Sequence, residues 1–187
     1  MVIKKNLVTK KKGDKSHFFS KFKKNYNFSE NKKANLEINT QSVSNKKYLK
    51  LYRIESALID NYQISSLKNS INYEYYNNEK DQLFNFRSSV FTDLSDDYND
   101  KYEYILPEIT LDKNIVNSNK IGKIDLQTNY KFHNYDTNKS TNFLINNFEW
   151  EANTKNYLSG VNGTILGNFK NINYEVKNED LYKKDTT

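Results

Sequence analysis

A chain of 187 residues with 36% hydrophobic content, mean hydropathy −0.94 and net charge +6 is long enough for one domain but short of the side chains that build a water-soluble core. It has no cysteine, which excludes disulfides, thiolate metal sites and a cysteine nucleophile, and no run of 18 apolar residues, which excludes a transmembrane helix but not a membrane barrel. Its excess charge is local: residues 1–24 carry +8, nine lysines against Asp14, and the rest carries −2.

Residues 1–15 read as a basic, poorly ordered leader. They lack the apolar stretch and small-residue cleavage site of a secretory signal. From residue 16 onward the pattern has a period of two, the mark of extended strands. Phe18, Ser20, Phe22, Lys24, Tyr26 and Phe28 share one side of the first strand, and Leu36, Ile38 and Thr40 one side of the next. Tyr48 to Ile59 is a less regular strand-like piece. Leu67, Ile71, Tyr73 and Tyr75 alternate with polar residues, as do Phe84, Phe86, Ser88, Val90 and Thr92. Tyr102 to Leu111 is strand-like around Pro107, which cannot donate to a ladder and so favours an edge, a bulge or a strand end.

Residues 123–133 carry the clearest signal. Ile124, Leu126, Thr128, Tyr130 and Phe132 fall on one side, and Lys123, Asp125, Gln127, Asn129, Lys131 and His133 on the other. Such an alternation is long for a soluble strand and matches the roughly 9–11 residues of a tilted membrane-crossing one. Phe143 to Ala152 and Val161 to Tyr174 complete the series, the latter with Gly160, Gly163 and Gly167 suggesting bends or close backbone approach. Asn/Asp-rich clusters at 77–81, 95–100 and 134–138 read as turns. Connections this short cannot hold crossover helices, so neighbours are antiparallel. The expected fold is all-β: an antiparallel meander of about eight long strands, an incomplete segment of a transmembrane β-barrel spanning 16–187. Aromatic residues toward strand ends (Tyr130 and Phe132, Tyr73 and Tyr75, Phe148 and Trp150, Tyr102 and Tyr104) fit an interfacial girdle.

The chemistry-bearing residues are sparse. His17 and His133 are far apart and read as a strand histidine and a rim histidine rather than ligands. Asp96, Asp97 and Asp100 lack the glycine and closing glutamate of an EF-hand and read as a solvated turn. Gly160, Gly163 and Gly167 are followed by no Lys-Ser/Thr and open no helix, so they are not a phosphate loop. Lys68, Arg87, Lys123 and Lys131 sit on polar faces, able to meet phosphates as point charges or simply to line a wet interior. With no convergent acid, base and nucleophile, no catalytic, cofactor or metal residues are expected, and an enzyme is the least expected reading. Nucleic-acid binding is disfavoured because the aromatics lie on apolar faces rather than among Lys and Arg on one platform.

Several segments resemble the LptD (OstA) family of outer-membrane lipopolysaccharide-assembly barrels. Ser16-His17-Phe18-Phe19-Ser20-Lys21-Phe22 and Val43-Ser44-Asn45-Lys46-Lys47-Tyr48-Leu49-Lys50 look like starts of its barrel hairpins. Asp93-Leu94-Ser95-Asp96-Asp97-Tyr98 followed by Lys101-Tyr102-Glu103-Tyr104-Ile105-Leu106-Pro107 is similar to its Tyr-x-Tyr-x-Leu-Pro strand, and Ile121-Gly122-Lys123-Ile124 to the glycine-containing strand after it. Phe169-Lys170-Asn171-Ile172-Asn173-Tyr174-Glu175 is also similar. The resemblance implies a front-to-middle barrel segment from a truncated reading frame, placed in the Gram-negative outer membrane. It also implies a role in moving lipopolysaccharide to the outer leaflet without catalysis, with a plug lipoprotein (LptE-like) and a periplasmic bridge protein as partners. A porin or receptor barrel fragment and a soluble periplasmic β-sheet binding module are the alternatives.

Overall fold

The computed structural model describes residues 15–56, 61–95, 102–135, 139–157 and 160–178. Eight strands form one antiparallel sheet: β1 (His17–Ser29), β2 (Lys32–Val43), β3 (Ser66–Asn77), β4 (Gln82–Asp93), β5 (Tyr102–Ser118), β6 (Gly122–Tyr135), β7 (Ser140–Glu151) and, after a small β8 (Lys155–Tyr157)–β9 (Val161–Gly163) hairpin, β10 (Leu166–Lys177). The order β1-β2-β3-β4-β5-β6-β7-β10 follows the chain, so the sheet is a meander, as the alternation and the short turns predict. The eight strands run 12 to 17 residues, against the usual five or six. β1 and β10 are not paired with each other, so the sheet is open.

Two segments depart from expectation. Tyr48–Tyr52 is a short helix, α1, rather than an extended piece, and residues 43–50 run from the end of β2 through a turn into it rather than opening a hairpin. Tyr48 and Leu49 are adjacent, so no strand could bury both on one side; the helical turn aims both at Leu67 and Leu94, with Phe19, Val43, Ile54 and Ile64 packed around them. The strand expected over Val161–Tyr174 is interrupted at residues 164–165, where the β8–β9 hairpin ends and β10 begins.

β5 absorbs two irregularities, one at Leu106-Pro107 and one at Ile115, where Asn114 to Val116 spans two residues against one from Asp125 to Ile124 on β6. On both of its ladders, Ile105 to Glu108 spans three residues where β4 (Ser89 to Arg87) and β6 (His133 to Lys131) span two, a bulge at Leu106-Pro107. Proline in a central strand is thereby accommodated at the point where the ladder is already broken. The bulge also moves the outward phase from Tyr104 to Ile109 and Leu111, so that these three share the apolar face while Ile105 stands on the polar one.

The register assigns the two faces. On one, rungs such as Tyr26–Ala34–Tyr75–Phe84–Leu111–Thr128 and Lys24–Leu36–Tyr73–Phe86–Ile109–Tyr130–Leu144 are mostly apolar. On the other, Lys23–Glu37–Asn72–Arg87–Glu108–Lys131 and Asn25–Asn35–Glu74–Asn85–Thr110–Asn129 are wholly polar. Among the described residues, extensive contacts between elements are all between ladder neighbours, so no second layer lies on either face. The buried core is confined to Ala34 and the α1 cluster at one rim, and large side chains of the apolar face stay open: Phe22, Ile71, Phe148, Trp150 and Phe169 are 37% to 64% exposed.

Candidate functional site: the polar face

Ion pairs and amide ladders cover the polar face of β1 to β6. Glu37 receives Lys23 at 2.9 Å and Lys21 at 3.6 Å, and its other bond comes from Asn39 Nδ2 at 2.9 Å. Arg87 and Glu108 face each other across β4 and β5 at 3.8 Å. Thr110 donates to Asn129 at 3.2 Å, and Asn114 to Asp125 at 2.9 Å. Opposite charges opposed across strands stabilise a sheet, and strict alternation of sign along the Lys23–Glu37 and Arg87–Glu108 rung avoids like-charge pairs. Buried side-chain oxygens without a protein partner occur on both sides: Asn39 Oδ1, Asn72 Oδ1, Asn85 Oδ1, Ser89 Oγ and Asp112 Oδ1 on this one, Asn77 Oδ1 and Asn142 Oδ1 on the other.

A groove of about 300 Å³ lies at the tight-turn end of this face, lined by Asp81, Asp112, Lys123, Asp125, Asn147 and Glu149. Lys123 bridges Asp125 at 3.1 Å and Asp81 at 3.3 Å, tying β6 to the β3–β4 turn, where Asn114 N–H also donates to the Asp81 carbonyl. In that turn, Glu79 is held below the ordinary carboxylate range, first by the hydrogen bond from Lys32 and then by one from Asn31. Among the described residues no three His, Asp or Glu side chains are gathered to hold a metal ion.

The residues singled out in the sequence are spread along the sheet. His17 Nδ1 lies 3.2 Å from the Tyr48 hydroxyl and its ring is 5.0 Å from Phe19, at the α1 rim. His133 is at the same rim on β6, its ring 4.6 Å from Tyr135. Lys68 Nζ sits 5.6 Å from the Phe91 ring centroid, Arg87 is in its pair with Glu108, and Lys131 lines a second groove, of about 210 Å³, with Glu108, Asn129 and Phe143. Asp96, Asp97 and Asp100 lie outside the described residues. Gly160 has φ +80° beside the β8–β9 hairpin, Gly163 ends β9, and Gly167 in β10 lies under the Trp150 ring, where an added Cβ would meet Trp150 Cε3 at 3.2 Å. At Gly167 this is the close approach that the glycines suggest.

One arrangement escapes the sequence reading. The register of β7 with β10 places Phe143 and Ile145, opposite Tyr174 and Ile172, on the otherwise polar side, and turns Asn171, Asn173 and Glu175 to the apolar side. The Phe143 and Tyr174 rings stack with centroids 6.2 Å apart. The consecutive Phe143-Leu144-Ile145 triplet is the signal: with three apolar residues in a row, a strand must turn some to each face.

No protein-family model, curated protein or solved structure matches the chain.

Proposed function

We propose that the chain is a wall segment of an outer-membrane β-barrel that conveys lipopolysaccharide to the outer leaflet. The observation that carries the barrel reading is the pairing of an open apolar face, uncovered by a second layer among the described residues, with an ion-paired polar face on the same long strands. Lipid covers the first and a wet lumen the second. The apolar run of β6 from Ile124 to Phe132 spans roughly 27 Å along the strand at ~3.4 Å per residue. At a tilt of about 40° that is close to 21 Å of bilayer, near the ~25 Å apolar band of such barrels. Lipopolysaccharide as cargo, and a plug lipoprotein and a periplasmic bridge protein as partners, rest on the LptD-like segments, above all Tyr102-Glu103-Tyr104-Ile105-Leu106-Pro107 and Ile121-Gly122-Lys123-Ile124. The role assigned to the chain is a path and not a reaction: Lys131 offers positive charge to phosphates along the polar side, where Arg87 and Lys123 are already held by carboxylates, and the apolar side meets acyl chains.

Leu126→Asp and Phe132→Asp test this. Each puts a charge on the lipid side of β6 and is expected to cost roughly 2–4 kcal/mol of assembly near the bilayer centre and less at the rim. Heat-modifiable mobility of the membrane-extracted protein measures it, with photo-crosslinking from Lys131 to lipopolysaccharide as the readout for cargo. Undiminished assembly of both variants would remove the barrel reading. Assembly loss without any lipopolysaccharide crosslink would leave a barrel with another cargo, a porin or receptor.

A second reading, a soluble periplasmic β-sheet binding module, is favoured by one observation. The polar Asn171, Asn173 and Glu175 of β10 stand on the side that the first reading gives to lipid.

A further inference from the structure

The two ends of the sheet are built differently. At one end the strands are joined by residues 30–31, 78–81 and 119–121, and these tight turns are laced together. Asn78 N–H donates to the Asn31 carbonyl at 2.9 Å, Lys32 pairs with Glu79 at 3.0 Å, and Lys123 reaches Asp81 at 3.3 Å. At the other end residues 44–65 and 94–101 make longer connections, and residues 136–139 a short one. The first of these holds α1 and, with Leu67 and Leu94, the cluster of buried apolar side chains around Tyr48 and Leu49. Lys46 Nζ reaches across to the Ser95 carbonyl at 2.6 Å, joining the two connections. A loop with its own small core, and with Leu51, Tyr52 and Lys50 left exposed, is shaped to stand in water beyond the rim.

Barrels of the outer membrane keep short turns on the periplasmic side and long loops outside. We propose that the α1 end of this sheet faces the cell exterior and the laced-turn end faces the periplasm, an orientation that rests on the outer-membrane barrel reading above. The connection 152–165 is the longest on the turn end, yet it is a simple extension of β7 and β10. It is closed by the Ala152 N–H to Ile165 carbonyl bond at 2.9 Å and the Thr154–Thr164 hydroxyl pair at 2.7 Å, and its described residues hold no apolar cluster. His17 and Lys46 then belong to an outer rim, and the groove around Lys123 opens toward the periplasm.

The absence of cysteine makes the test direct. Lys50→Cys on α1 and Lys120→Cys in the 119–121 turn both alter exposed side chains. Each variant of the full-length protein, in intact Gram-negative cells, is treated with a membrane-impermeant polyethylene-glycol maleimide, before and after the outer membrane is opened with EDTA. The expected result is at least tenfold more modification of Lys50→Cys than of Lys120→Cys in intact cells, with the two equal after opening. The reverse pattern, or equal modification in intact cells, overturns the orientation while leaving a membrane-embedded barrel. Recovery of both variants in the soluble periplasmic fraction overturns it by removing the barrel reading itself.

Discussion

Gly122 shows how closely single positions are specified. It opens β6 at φ +92°, and a Cβ there would stand 2.0 Å from the Glu151 carbonyl oxygen of β7. Only a residue without a side chain lets the β5–β6 turn pass under β7. Trp150, next along β7, donates from Nε1 to the Ile121 carbonyl at 2.7 Å and locks the same corner from the other side. Gly122→Ala is expected to cost at least about 1–3 kcal/mol, since the strained backbone and the clash with main chain have no cheap relaxation. The urea midpoint of the protein in detergent micelles measures it, and an unchanged midpoint would mean that the corner is looser than this geometry. The same logic separates what could be read at single residues from what could not. Lys123 was legible as a polar-face charge, but its bridge to Asp81, 42 positions earlier, exists only because the register of three ladders brings the β3–β4 turn beneath β6.

Element by element, legibility tracks regularity. Strands with unbroken alternation, β2, β3, β4 and β6, lie where the pattern places them, because each side chain's face follows from its parity alone. Parity fails where an extra residue enters. In β5, Tyr104 and Ile109 share a face although one is even and the other odd, because the Leu106-Pro107 bulge lies between them. It fails again for β10, whose side assignment is inherited from pairing with β7 and not from its own pattern. α1 was hidden for another reason: five residues are too few for a helical period to register. Its cluster stands apart from the ladders, so its loss should be local. Leu49→Ala, at a side chain 1% exposed, is expected to cost about 2–5 kcal/mol of the local fold. Limited trypsin digestion should then cut at Lys50 and Arg53 many times faster while the strands resist. Concerted digestion of the sheet would show instead that the rim cluster holds the whole meander together.

At the scale of the molecule the decisive property is a sheet with no partner layer among the described residues. A soluble sandwich hides its two apolar faces against each other, and here the single apolar face is left open. Two unpaired edges, β1 and β10, add rows of unsatisfied main-chain groups. Lys24 on the apolar side of β1, its ammonium 5.1 Å from the Tyr26 ring, is the sort of charge that makes an edge less adhesive. The expected outcome is a protein that is monodisperse in detergent and aggregates when the detergent is removed, followed by sedimentation velocity. A monodisperse species in plain buffer would count against a lipid-facing surface and favour the soluble module. β10, with Phe143, Ile145, Ile172 and Tyr174 turned to the polar side, is the part of the sheet least suited to lipid.

What the residues determined by themselves was local and periodic: all-β character, long antiparallel neighbours, and one apolar and one polar side to most strands. These depend on a two-residue repeat and on turn chemistry, which need no knowledge of distant parts of the chain. What the tertiary structure alone decided was relational: a single open layer, the ion pairs across the polar side, the β7–β10 exchange of faces and the α1 cluster at one rim. Each depends on which strand lies beside which and in what register, a long-range outcome set by bulges and by side chains meeting across ladders.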